Sequence, residues 1–162
     1  MNKLLLTTIF LFSIICFGQN EKSIDNKKYE KIKKLSEKGE LYAEKGEYKK
    51  ALEKYWKAYD LIPNPKTEWE ASLWLLTAIG DSNFLNENFK SGVENFTSAM
   101  NCPNGIGNPF LHLRLGQCQY EMGNLKKAAE ELTRAYAIEG KDIFDGENSK
   151  YFEFLKTKIR IN

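Results

Sequence analysis

Valine is nearly missing from this chain: Val93 is the only one among 162 residues. Sheets draw heavily on Val and other β-branched residues, so an all-β fold or a buried parallel sheet is disfavoured. Histidine is as scarce. With His112 alone, no multi-histidine metal site can be assembled. Three cysteines are present and none falls in a CxxC pair, the spacing that a zinc ribbon or a dithiol redox site needs. An excess of one charge sign is also missing. Lys and Arg total 24 against 22 for Asp and Glu, a net of +2. A polybasic nucleic-acid binder carries a basic excess, and a disordered tail is more lopsided and poorer in apolar residues. What the chain does have is 18 leucines and 10 alanines, mixed with abundant Lys and Glu. Those residues favour helices.

The amino terminus differs from the rest. Met1-Asn2-Lys3 is followed by Leu4 to Phe17, nearly all apolar, then Gly18 and the polar run Gln19-Asn20-Glu21. A short basic region, a hydrophobic region and a small residue at the edge make the pattern of a secretory signal peptide, read over residues 1–18. The apolar stretch of about 14 residues is short of the ~20 needed to span a bilayer. Acylation at Cys16 is less favoured, because Ile15 stands where a small residue would precede a lipidated cysteine. The composition and the Phe17-Gly18-Gln19-Asn20 ending resemble exported bacterial proteins. The mature chain, residues 19–162, is then expected to be periplasmic, envelope-associated or secreted, with no membrane span and a net charge near +1. Cys102 and Cys118 remain in it. They are read first as small buried helix residues and second as a disulfide.

An internal repeat organises residues 32 to 141. Gly39, Gly80 and Gly116 align. Twelve residues on stand Ala51, Gly92 and Ala128; four further, Tyr55, Phe96 and Leu132; three further, Ala58, Ala99 and Ala135. Small residues at these offsets let two helices cross closely, and the large residue between them fills the space toward the next pair. Gly46 and Gly123 can end a first helix in the left-handed conformation. Asn64-Pro65 and Asn108-Pro109 read as cap and first residue of a helix. Pro63 and Gly140 close second helices. The resulting map is Ile24–Lys45 with Glu47–Leu61, Pro65–Leu85 with Asn88–Asn101, and Pro109–Met122 with Leu125–Glu139. A last amphipathic helix over 148–159 carries Tyr151, Phe152, Phe154, Leu155 and Ile159. Gly105-Ile106-Gly107 reads as a flexible loop, and Asp142 to Glu147 as a solvated turn that fails the calcium-loop pattern.

This pattern resembles the tetratricopeptide repeat family. Copy one carries it in Leu35, Gly39, Tyr42, Gly46, Tyr48, Ala51, Tyr55, Ala58 and Pro63. Copy three carries it in Leu115, Gly116, Gly123, Ala128, Leu132 and Ala135. Copy two is weaker, with Glu87 in place of the turn glycine and Gly92 in place of the usual Ala. The resemblance implies an all-α fold: three repeats (about 32–65, 66–106 and 108–141) stacked in a right-handed superhelix within one domain, with the last helix as a solvating cap. It also implies a concave groove lined by first helices. Copy one supplies Lys33, Ser36, Glu40, Ala43 and Glu44 to that groove. Copies two and three supply Trp74, Thr77, Asp81, Phe84, Leu85, Phe110, Leu113, Gln117, Tyr120 and Glu121. The sharpest expectation is an aromatic-lined groove, built on Trp74, Phe84, Phe110 and Tyr120, that holds a segment of another protein. The competing expectation is that the last helix folds back and fills it. The family's carboxylate-gripping residues are replaced by Ser36, Glu40, Ala78 and Phe110; only Arg114 matches.

No catalytic constellation is legible. His112 sits in Phe110-Leu111-His112-Leu113-Arg114-Leu115 at a helix-packing position and is read as structural; chemistry at His112 is the least favoured alternative. Glu37, Glu40, Glu44, Glu130 and Glu131 are surface carboxylates beside lysines. No phosphate-binding glycine loop, cofactor site or metal site is present. Lys27, Lys28, Lys31, Lys33 and Lys34 alternate with Glu30 and Glu37, a solvated face rather than a nucleic-acid patch. The expected function is a non-enzymatic, protein-binding scaffold. A narrower similarity of residues 108–156, from Asn108-Pro109-Phe110 to Phe154-Leu155-Lys156, is to bacterial repeat proteins encoded beside toxin genes. It implies, as an alternative, an immunity-type toxin inhibitor.

Overall fold

A computed structural model describes residues 24–161. The leader expected at 1–18 lies outside them. The described residues form seven α-helices, two short 3-10 turns and no strand: α1 (Asn26–Ala43), α2 (Tyr48–Asp60), α3 (Glu70–Leu85), α4 (Phe89–Met100), α5 (Pro109–Glu121), α6 (Leu125–Glu139) and α7 (Ser149–Lys156). None is long and apolar enough to cross a membrane. The helices pack as successive pairs, α1 with α2, α3 with α4 and α5 with α6, each pair resting on the next.

The small residues of the repeat act at the crossings. A Cβ on Gly39 would stand 2.4 Å from the Tyr55 ring. On Gly80 it would stand 2.6 Å from the Phe96 ring, and on Gly116 2.8 Å from Leu132. Each first-helix glycine therefore presses against the large residue of its own second helix. Ala51, Ala58, Ala99, Ala128 and Ala135 are fully buried. The first helix ends at Gly46 (φ 73°) in pair one and Gly123 (φ 76°) in pair three. Glu87 holds the same left-handed place in pair two at φ 61°, at a backbone cost of about 1 kcal/mol.

No single core forms. Ile32, Tyr55, Ile62, Leu75 and Ile79 make a first apolar cluster, Phe96, Leu111, Leu115 and Cys118 a second, and Leu113, Leu132, Phe144, Tyr151 and Leu155 a third. The first two clusters straddle the seam between one pair and the next, as in a solenoid whose units cannot bury their faces alone. Cys102 and Cys118 are both buried in the second cluster.

Three expectations need correction. Pro65 does not open a helix. Asn64–Pro65 is a cis peptide, residues Lys66–Glu68 make a 3-10 turn, and α3 begins at Glu70. The intervening side chains close the end of α2: Lys66 Nζ donates to the carbonyls of Tyr59 (2.6 Å) and Ile62 (2.9 Å), and Trp69 Nε1 to that of Pro63 (2.9 Å). These bonds tie the turn to the end of α2 and to the residues just after it. The Gly105–Gly107 segment is a fitted turn. A Cβ on Gly105 would meet the Ala99 carbonyl oxygen at 2.4 Å, and the Ile106 carbonyl accepts from His112. The Asp142–Glu147 stretch is not merely solvated, since Phe144 is buried and Glu147 bonds to Arg114.

Candidate functional site

The first two pairs leave a cleft of about 390 Å³ between them, open on one side. α1 lines it with Glu40, Ala43 and Glu44, and α2 contributes Tyr55. α3 lines it with Trp74, Thr77, Ala78, Asp81, Ser82 and Leu85, and α5 closes it with Phe110 and Arg114. Residues 74, 77 and 81 recur at helical spacing, so one stripe of α3 faces the space. Trp74 is 37% exposed and meets Tyr55 edge-on at 6.1 Å. Thr77 returns its hydroxyl to the Leu73 carbonyl at 2.7 Å.

The remaining residues expected on the groove lie elsewhere. Phe84 packs against Phe89 and under the Arg114 guanidinium, 4.7 Å from its ring centroid. Leu113 is buried in the third cluster with Leu155 of α7. Gln117 is fully buried and donates to Glu147 at 2.9 Å. Tyr120 meets the rings of Tyr151 (5.5 Å) and Phe154 (5.1 Å). The third copy's share of the groove is thus covered by the chain's own C-terminal segment, while the share between copies one and two is open. Lys33 is exposed away from the cleft, and Ser36 is buried with its hydroxyl on the Ile32 carbonyl.

Arg114 joins the two regions. Its Nε donates to Asp81 Oδ1 at 2.6 Å, and its Nη1 to Gln117 Oε1 and Glu147 Oε2, both at 2.7 Å. Its guanidinium also faces the Phe110 ring at 5.0 Å. Burial opposes the charge on Arg114, but the carboxylates of Asp81 and Glu147 outweigh it and hold the group firmly protonated. Burial raises the Asp81 carboxyl above its ordinary range, and Arg114 offsets only part of that rise. Glu40 is raised as well, by burial first and then by the charges of Glu44 and Glu37. On the cap, burial pushes Glu121 up. The hydrogen bonds from Lys150 and Tyr151, both at 2.6 Å, push it down further, so it rests below the usual carboxylate range.

His112 is buried, with Nδ1 2.6 Å from Glu131 Oε2 and Nε2 2.7 Å from the Ile106 carbonyl. Both ring nitrogens are spent on structure, outside the cleft. His112→Ala is expected to cost about 2 kcal/mol of stability, because it removes a buried ring together with both of its hydrogen bonds, read as a fall in the urea midpoint. A stability change under 0.5 kcal/mol would refute that role. No group of His, Cys, Asp and Glu that could hold a metal occurs among the described residues.

Among solved structures, the chain is similar to the TPR domain of Arabidopsis OM64. The two are 19% identical, the alignment covers 80% of this chain and 95% of that one, and the TM-score is 0.64. No protein-family model and no curated protein matches the sequence. Three stacked helix pairs, small residues at every crossing and this structural likeness together show that the chain has the tetratricopeptide-repeat fold.

Proposed function

We propose that the protein is a non-enzymatic binding module that takes a peptide segment of another protein into the cleft between its first and second helix pairs. One observation carries this reading. The chain fills the rest of its groove with its own C-terminal segment but leaves this part open, with Trp74 facing the space. A volume of about 390 Å³ suits a few side chains of an extended or helical segment. Exposed aromatics at the centre of such a space are the usual anchors of an interface. The expected leader would place this activity outside the cytoplasm.

The test is selection of peptides from a randomised dodecapeptide display library on the immobilised protein, followed by titration of the recovered peptides. Trp74→Ala is expected to weaken them about thirtyfold. Recovery of no peptide, or of peptides indifferent to Trp74→Ala, would show that the cleft is not the binding surface.

A further inference from the structure

We propose that the segment taken by this cleft is basic, and that it sets a Lys or Arg side chain against Glu40 and Glu44 with its apolar stem along Trp74. The inference rests on the cleft being the binding surface and adds the chemistry of what it selects. Three carboxylates and one guanidinium line the space, and that guanidinium already has Asp81 and Glu147 as partners. The lining therefore carries a surplus of negative charge, concentrated on α1. Glu37, Glu40 and Glu44 follow one another at intervals of three and four, along one side of the helix. Neither Glu40 nor Glu44 has a cation paired with it among the described residues, although α1 also carries Lys33, Lys34 and Lys38.

Three aromatic rings line the cleft. The Arg114 guanidinium already stands over Phe110, and among the described residues no cation stands over Tyr55 or Trp74. A lysine or arginine satisfies both features at once. Its methylene stem packs on an apolar surface and its head remains with the carboxylates, and an indole face attracts a cation more strongly than other rings do. The other ligand classes fit worse. A neutral apolar plug would strip water from Glu40 and Glu44 and supply no partner. An acidic segment would add like charges beside them.

The peptides selected as above decide the matter. They are expected to share a Lys or Arg at a fixed position beside apolar residues. The double variant Glu40→Gln/Glu44→Gln should weaken them about tenfold, as should replacing that cation in the peptide by norleucine. Affinity should fall as salt is raised. It should also fall as pH is lowered, because burial and the neighbouring Glu44 and Glu37 make Glu40 take up its proton more readily than an ordinary carboxyl. The groups facing Glu40 are Glu37 and Glu44 on its own helix, Tyr55 from α2, and Asp81 with Arg114 across the cleft. The variant's helical circular dichroism should match the parent and its urea midpoint should not fall, since Gln keeps the size of Glu and removes a half-buried charge at Glu40.

Selected peptides that depend on Trp74 but carry no shared cation, or that ignore Glu40→Gln/Glu44→Gln, would overturn the inference and leave the binding surface standing. Peptides that ignore Trp74→Ala, or no peptides at all, would remove both. A dimer in sedimentation that Trp74→Ala dissolves would also overturn it, because the occupant would then be a second copy of the chain.

Discussion

Arg114→Met is expected to lower the free energy of unfolding by about 3 kcal/mol. The residue is 9% exposed and bonds to Gln117 on its own helix and to Asp81 and Glu147 from two distant parts of the chain. Methionine fills much of the space but leaves Asp81 and Glu147 with no cation between them. Their desolvation is then uncompensated, and they repel each other. Arg114→Lys should fall between, at about 1–2 kcal/mol, since an ammonium is a point charge and cannot fork toward two carboxylates at once. The triple change Arg114→Met/Asp81→Asn/Glu147→Gln should regain most of the loss, because it removes the buried charges along with their partner. Urea denaturation followed by circular dichroism measures all three. A single-variant cost under 1 kcal/mol, or a triple variant no better than the single, would show that the network is not what holds this junction.

The second large effect belongs to the crossing of α3 and α4. Phe96→Ala should cost about 4 kcal/mol, because Phe96 is fully buried and its loss leaves a cavity between the second and third pairs. Gly80→Ala fails for the opposite reason. The added methyl would overlap the Phe96 ring, with three ring carbons within 2.8 Å, and neither helix can retreat without opening the clusters behind it. Overpacking of this kind costs about 1–3 kcal/mol, against a gain of about 1 from replacing a helical glycine. Joining Gly80→Ala to Phe96→Leu should therefore cost less than the sum of the two single changes. Additive costs in that cycle would mean that the pair does not share one space.

The contacts between α3 and α4 also mark how far the sequence could be read. Gly39, Gly80 and Gly116 with Tyr55, Phe96 and Leu132 are local signals, because sixteen residues separate the members of each crossing. Periodicity captures such contacts, and the three helix pairs followed from them. The start of α3 was misjudged because Asn64-Pro65 has the composition of a helix cap and of a loop alike. What decided between them was Lys66 and Trp69 finding carbonyls in the preceding helix. Of the residues expected along the groove, Trp74, Thr77, Asp81 and Phe110, with Glu40, Ala43, Glu44 and Leu85, line the open cleft. Leu113, Gln117 and Tyr120 hold matching repeat positions, but the C-terminal segment covers them, and repeat arithmetic has no knowledge of that segment. One clue was available. A lone arginine inside Leu111–Leu115 must find carboxylates once buried. Glu147 sits in a turn whose composition is that of a solvated loop, so sequence gives no sign of its buried partner.

A single guanidinium grips Asp81 at the edge of the cleft and Glu147 ahead of the last helix, each 33 residues away along the chain. The two places therefore cannot respond independently. A ligand that drew Asp81 toward itself would loosen the hold on Glu147, and by linkage lifting α7 away would change that ligand's affinity by the same free energy. The tail of the protein is in this sense tied to the cleft, and a ligand held at one would be registered in the stability of the other.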